Sequence, residues 1–130
     1  MQVETQLERF ALAGIGIVVV TQSKVEVLAQ YLERTPKPFP FVTDPERRAY
    51  AAFGLERTPW WSFFRPDELW RYFQARLRGT RVRMPYAGED VRQLGGDFLL
   101  DRSGRVTFAH PSRLPTDRPS VETLLGAANR

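Results

Sequence analysis

The chain has 130 residues, 42% of them hydrophobic and 26% charged, and a formal charge of +4. It has one histidine and no cysteine, which excludes disulfides, thiolate metal ligands, a cysteine nucleophile and multi-histidine metal centres. All the basic residues except Lys24 and Lys37 are arginine, and the pI near 10 permits an acidic partner without requiring one.

In chain order, Val3, Leu7 and Phe10 fall at helical spacing, and Gly14 is placed to cap that helix. Ile15–Val20 is an apolar, β-branched run of the kind found in strands covered on both faces. Ser23 is the candidate cap of a second helix whose face is Val25, Leu28, Ala29 and Leu32, ended by Thr35-Pro36. Phe39, Phe41 and Val42 form a short extended segment that Pro38 and Pro40 restrict to a sheet edge or an irregular stretch. Asp44-Pro45-Glu46 starts a helix carrying Ala49, Tyr50 and Phe53, closed by Gly54.

Pro66-Asp67-Glu68 starts another helix, with Leu69, Trp70, Phe73 and Leu77 on one face and Gly79 at its end. Residues 80–95 read as a long loop. Phe98-Leu99-Leu100 and Val106-Thr107-Phe108 flank Asp101-Arg102-Ser103-Gly104, which is hairpin chemistry. A last helix, capped by Asp117 or Ser120, turns Val121, Leu124 and Leu125 inward. The pattern predicts one α/β domain spanning residues 1–130. No apolar run approaches the ~20 residues of a membrane span, and the first ten residues do not resemble a secretory signal, so the expected location is the cytoplasm.

The element order resembles a thioredoxin-like fold entered partway through. Phe39-Pro40-Phe41-Val42-Thr43-Asp44-Pro45, followed by Ala49-Tyr50-Ala51-Ala52-Phe53-Gly54-Leu55, is similar to a peroxiredoxin stretch. Gln93 to Val106, with Gly95-Gly96-Asp97-Phe98 and Asp101 to Gly104, is similar to the strand-turn-strand of the same group, and Asp117 to Val121 continues the likeness. From about Leu7 to Leu125 the chain resembles the peroxiredoxin-like branch of the alkyl hydroperoxide reductase / thiol-specific antioxidant family. The resemblance implies a three-layer α/β/α fold with a mixed sheet and thiol-dependent reduction of peroxides.

It also implies two departures. Family members place a central strand, and then a reactive cysteine, before the first helix. This chain begins inside that helix, so it reads as truncated at its N-terminus relative to the family. No residue here can be assigned the catalytic role. The missing strand would lie between Ile15–Val20 and Asp97–Leu100, leaving two apolar edges. Those strands could close on each other, a second subunit could cover the gap, or the natural protein could begin upstream of Met1. The expectation is a homodimer, redox-inactive as written, with no cofactor and no metal. A thioredoxin-type reductant or a small oxidised substrate applies only if an upstream cysteine exists.

Four further features are candidates for function. Trp60, Trp61, Phe63 and Phe64 precede Trp70, Tyr72 and Phe73, and six arginines between residues 65 and 83 face only Asp67 and Glu68. Such a segment could stack single-stranded nucleic acid or bind another acidic partner. The simpler account is a core-facing helix with solvated arginines, and the Trp60–Phe64 run is a candidate dimer contact or pocket lip. Nucleic acid is not the expected partner. His110 lies near Ser112, but the sequence marks no acid partner for it and no nucleophile elbow, so a strand-end histidine is the simpler account. Gly95-Gly96 could let a substrate approach the backbone, or could be a flexible strand entry. Arg113 and Arg118 could hold an anionic group near the last helix, or act as ordinary surface residues.

Overall fold

The computed structural model describes residues 2–55, 57, 66–79, 93–113 and 117–130. A 3₁₀ turn, Glu4–Gln6, leads into helix α1, Leu7–Leu12. Gly14, at φ 70°, turns the chain out of α1, as its position predicts. Strand β1 is only Val19–Thr21. Residues 15–18 run up to it without pairing, and exposure alternates along the whole run. Ile15 and Ile17 pack against the core, whereas Val18 and Val20 face outward. The expectation of cover on both faces is thus corrected. Alternate side chains of an extended chain point opposite ways, and the core lies on one side only.

Helix α2 is Val25–Arg34. Lys24, not Ser23, occupies its cap position, and the Ser23 hydroxyl is buried against that of Thr21 at 3.2 Å. Leu28 is the buried residue of α2, with Val27, Tyr31 and Leu32 half-buried beside it, while Val25 and Ala29 are exposed. Strand β2, Phe41–Thr43, pairs parallel to β1 with Val20 opposite Val42. Phe39 is buried and stacks on Phe41 with ring centroids 5.7 Å apart.

Helix α3, Arg48–Ala52, starts later than Asp44-Pro45-Glu46 suggests, after Arg47 in a left-handed conformation. Asp44 still caps it: the carboxylate accepts the backbone N–H groups of Arg48 at 2.9 Å and Ala49 at 2.8 Å. Helix α4 is Pro66–Leu77, with Gly79 at φ 74° beyond its end. Strands β3, Gly96–Leu100, and β4, Val106–Pro111, form the antiparallel hairpin, with a register shift between Leu99 and Leu100. Asp101 builds the turn by accepting from the N–H groups of Ser103 and Arg105 and from the Ser103 hydroxyl at 2.6–3.0 Å. These bonds hold its carboxyl below the usual range, the Ser103 hydroxyl contributing most. Helix α5 is Val121–Ala128, and of the two candidate caps it is Ser120 that accepts the Thr123 N–H, at 3.1 Å.

The core joins the two ends of the chain. Phe10 of α1 meets Val121, Leu124 and Leu125 of α5, with Val3, Ile15, Ile17 and Phe108 packed against them. Arg9 and Glu122 link the same two helices through a two-pronged ion pair at 2.6 and 2.9 Å. Lys37 reaches Glu4 at 2.8 Å.

The architecture is mixed α/β, but among the described residues the strands stand as two separate two-stranded sheets. Of the outcomes open for the gap, direct closure of β1 on β3 is not what the chain does. Val19 donates its N–H to the Pro40 carbonyl, so Val20 directs its backbone groups away from β2. Ser112 donates to the Gly95 carbonyl, so Asp97 and Leu99 bond to β4 while Gly96 and Phe98 point to the other edge. Helix α3 and the turn after it touch both sheets. The Tyr50 hydroxyl donates to the Val20 carbonyl at 3.3 Å, and the Phe53 ring meets that of Phe98 at 4.6 Å.

Candidate functional site

Polar chemistry gathers at the open end of the β3–β4 hairpin. Gly96 pairs with Pro111 and Asp97 with His110, so the entry to β3 and the exit from β4 lie side by side. Asp117 and Arg118, which precede α5, lie at the same end, against His110 and Asp97.

The two glycines have different surroundings. A side chain at Gly95 would meet nothing within 4 Å. At Gly96 the space of a Cβ is already taken, 2.8 Å from Leu55 Cδ2, 2.9 Å from Phe98 Cε2 and 3.1 Å from the His110 carbonyl oxygen. The space beside Gly96 is thus filled by the protein's own Leu55 and Phe98, whereas the space beside Gly95 is open.

Asp97 and Arg118 form an ion pair, with Arg118 Nη2 donating to Asp97 Oδ1 at 2.9 Å. The Asp97 side chain is largely buried, and its Oδ2 finds no hydrogen-bond partner among the described residues. Arg118 is thus already engaged by a carboxylate. An anion held there would have to share the guanidinium with Asp97.

His110 does have an acid partner, which the sequence did not mark. Its Nε2 lies 2.9 Å from Asp117 Oδ1. The other carboxylate oxygen accepts the Arg113 N–H at 2.9 Å. That bond and the His110 contact hold the Asp117 carboxyl below its ordinary value, the backbone bond contributing most. Ser112 is buried and donates its hydroxyl to the Asp117 carbonyl at 2.7 Å. A hydroxyl committed to a carbonyl is not poised to give its proton to His110, so the three residues form a structural clasp and not a charge-relay triad. Arg113 contributes its backbone to this clasp, and its side chain is exposed. Among the described residues no group of three or more His, Asp or Glu is placed to hold a metal ion.

The aromatic candidates Trp60, Trp61, Phe63 and Phe64 lie outside the described residues, as do Arg65, Arg81 and Arg83. Helix α4 lies within them and overturns the core-facing reading. Leu69, Trp70, Phe73 and Leu77 are 52–71% exposed, and Trp70 stacks on Phe73 at 5.7 Å. Periodicity identifies the apolar face of a helix but not whether anything lies against it. A shallow groove of about 490 Å³ runs between α1, residues 15–18 and residues 38–40. Its wall has no titratable side chain, so it offers apolar contact without chemistry.

A family model described as AhpC/TSA antioxidant enzyme matches residues 2–113. The chain belongs to the AhpC/TSA antioxidant family. No curated protein and no solved structure matches it. The matched span includes both sheets and ends within the His110–Asp117 clasp. In an AhpC/TSA protein the chemistry expected from the resemblance is that of a thiolate, and these 130 residues contain no cysteine. The clasp supplies hydrogen bonds and charge but no group that a peroxide could oxidise in its place. Serine and threonine hydroxyls are far weaker acids than a thiol and do not form the sulfenic acid on which turnover depends.

Proposed function

We propose that the chain is a single thioredoxin-like domain of the AhpC/TSA kind that performs no thiol peroxidase turnover of its own. The observation that carries this reading is the absence of any cysteine from a sequence matched to the family over most of its length. The parallel β1–β2 pair, the antiparallel β3–β4 hairpin and the intervening helices support the fold assignment. Peroxide reduction in such a fold needs a thiolate to attack the peroxide oxygen and become a sulfenic acid, and a reductant to return it to the thiol. A domain without that sulfur can bind, but it cannot cycle.

The test is peroxide consumption by the 130-residue chain with thioredoxin, thioredoxin reductase and NADPH. The expected result is NADPH oxidation at the rate of the protein-free mixture. Turnover above that rate overturns the reading.

The exposed stripe of α4 favours a second role, as a docking surface. Among the described residues no helix is long and apolar enough to cross a membrane.

A further inference from the structure

Two apolar faces lie uncovered among the described residues. The first is the outer face of β1 and β2. Ile15 and Ile17 turn to the core, so Val18 and Val20 turn the other way, and Val42 stands beside Val20 in the parallel register. These three valines are 60, 41 and 48% exposed. A parallel strand pair is ordinarily covered on both faces, because crossover helices pack on each side. Here the core lies on one face, and the valines of the other are left to solvent. The second uncovered face is on α4. Leu69, Phe73 and Leu77 recur every four residues, and Trp70 lies one turn before Phe73, so the four share one side of the helix. All four are more than half exposed.

The path of the chain indicates what α4 can reach. Arg57 pairs with Gln93 in an isolated antiparallel bridge, and Gln93 Nε2 donates to the Leu55 carbonyl at 3.4 Å. The stretch that carries α4 therefore leaves and returns at one point. That point is tied to β1: Leu55 donates its N–H to the Tyr50 carbonyl at 2.9 Å, and the Tyr50 hydroxyl donates to the Val20 carbonyl at 3.3 Å. Residues 58–65 join Arg57 to the start of α4, and a chain of that length spans roughly 25 Å when extended. The helix itself is roughly 18 Å long, enough to lie across both strands. So short a tether sets the effective concentration of α4 at the valine face near the millimolar range, which favours it over a separate partner. We propose that α4 is a strap, hinged at the Arg57–Gln93 bridge, that closes over β1 and β2 and lays Leu69, Trp70, Phe73 and Leu77 on Val18, Val20 and Val42. Closure gives the parallel pair its second cover and takes both apolar faces out of water together. The strap rests on the reading of α4 as a docking surface and names what it docks on; it is independent of peroxide turnover.

Because the chain has no cysteine, an introduced pair reports on this contact without background. Val42→Cys with Phe73→Cys, both at exposed positions, is expected to form a disulfide within one chain on mild oxidation, at a rate independent of protein concentration. Phe73→Cys with Arg102→Cys, at the end of the hairpin far from Gln93, should cross-link roughly tenfold or more slowly. Limited trypsin digestion of the cysteine-free chain gives a second reading. Arg71 and Arg76 lie exposed on α4, and Val42→Asp should speed cleavage after them roughly tenfold, because a carboxylate under the strap opposes closure. Far-UV circular dichroism checks that each variant is folded. Cross-links that form only between chains overturn the strap and make α4 a docking surface for a second copy. Cross-linking no faster than with Arg102→Cys, or cleavage unchanged by Val42→Asp, overturns it as well. Both together would mean that α4 docks on nothing, and the docking-surface reading falls with the strap.

Discussion

Gly96 shows how a single missing side chain organises its surroundings. Leu55, just past α3, fills the space of a Cβ from one side, while Phe98 and the His110 carbonyl crowd it from the other. Gly96→Ala should therefore cost about 1–3 kcal/mol in chemical denaturation, the usual penalty for overpacking. Gly95→Ala, next to it in open space, should stay within about 0.5 kcal/mol of wild type. Leu55→Ala combined with Gly96→Ala should cost less than the sum of the two single losses, because removing the leucine methyl relieves part of the crowding, and the His110 carbonyl oxygen keeps that relief partial. The sequence shows both glycines and nothing that separates them. Their difference is set by Leu55, some forty positions away.

Among the elements, the connection from β4 to α5 is held by one carboxylate. Asp117 accepts from the Arg113 N–H and meets His110, while its carbonyl takes the Ser112 hydroxyl. Its folded value lies below the ordinary 3.8, so its contribution to stability is fully present above that pH and is lost as pH falls through the folded value. Asp117→Asn should be less stable than wild type at neutral pH. The gap should close in unfolding titrations carried below pH 3.8, and a gap that stayed constant with pH would refute this account of the clasp. Sequence reasoning found the hairpin, the inward face of α5 and the choice of caps for it, because turn chemistry and helical spacing are local. It missed the His110–Asp117 contact because the pair stands seven positions apart, beyond the end of a strand, and nothing in composition says that the two meet.

At the scale of the molecule, the two ends of the chain make one core while the strands among the described residues remain in two pairs. The inner edges of those pairs give a direct measurement. Asp97 and Leu99 have backbone groups directed at β4, whereas Gly96 and Phe98 point away, as Val20 does from β2. Amide hydrogen exchange should show Asp97 and Leu99 protected and Phe98 and Val20 exchanging faster. Equal protection of Phe98 and Leu99 would mean that another strand covers that edge. Family membership and the absence of a sulfur nucleophile were both legible in the sequence: the first from the order of short motifs, the second from counting. The helices and the hairpin were legible for the same reason, since each is specified by residues within a few positions of one another. Burial was not. Val18, Val20, Trp70 and Phe73 carry the pattern of core residues and stand exposed, while Gly96 is packed and Asp97 is largely enclosed. Apolar periodicity states which side of an element prefers to leave water; what lies against that side depends on segments remote in the chain, and only the tertiary structure decides it.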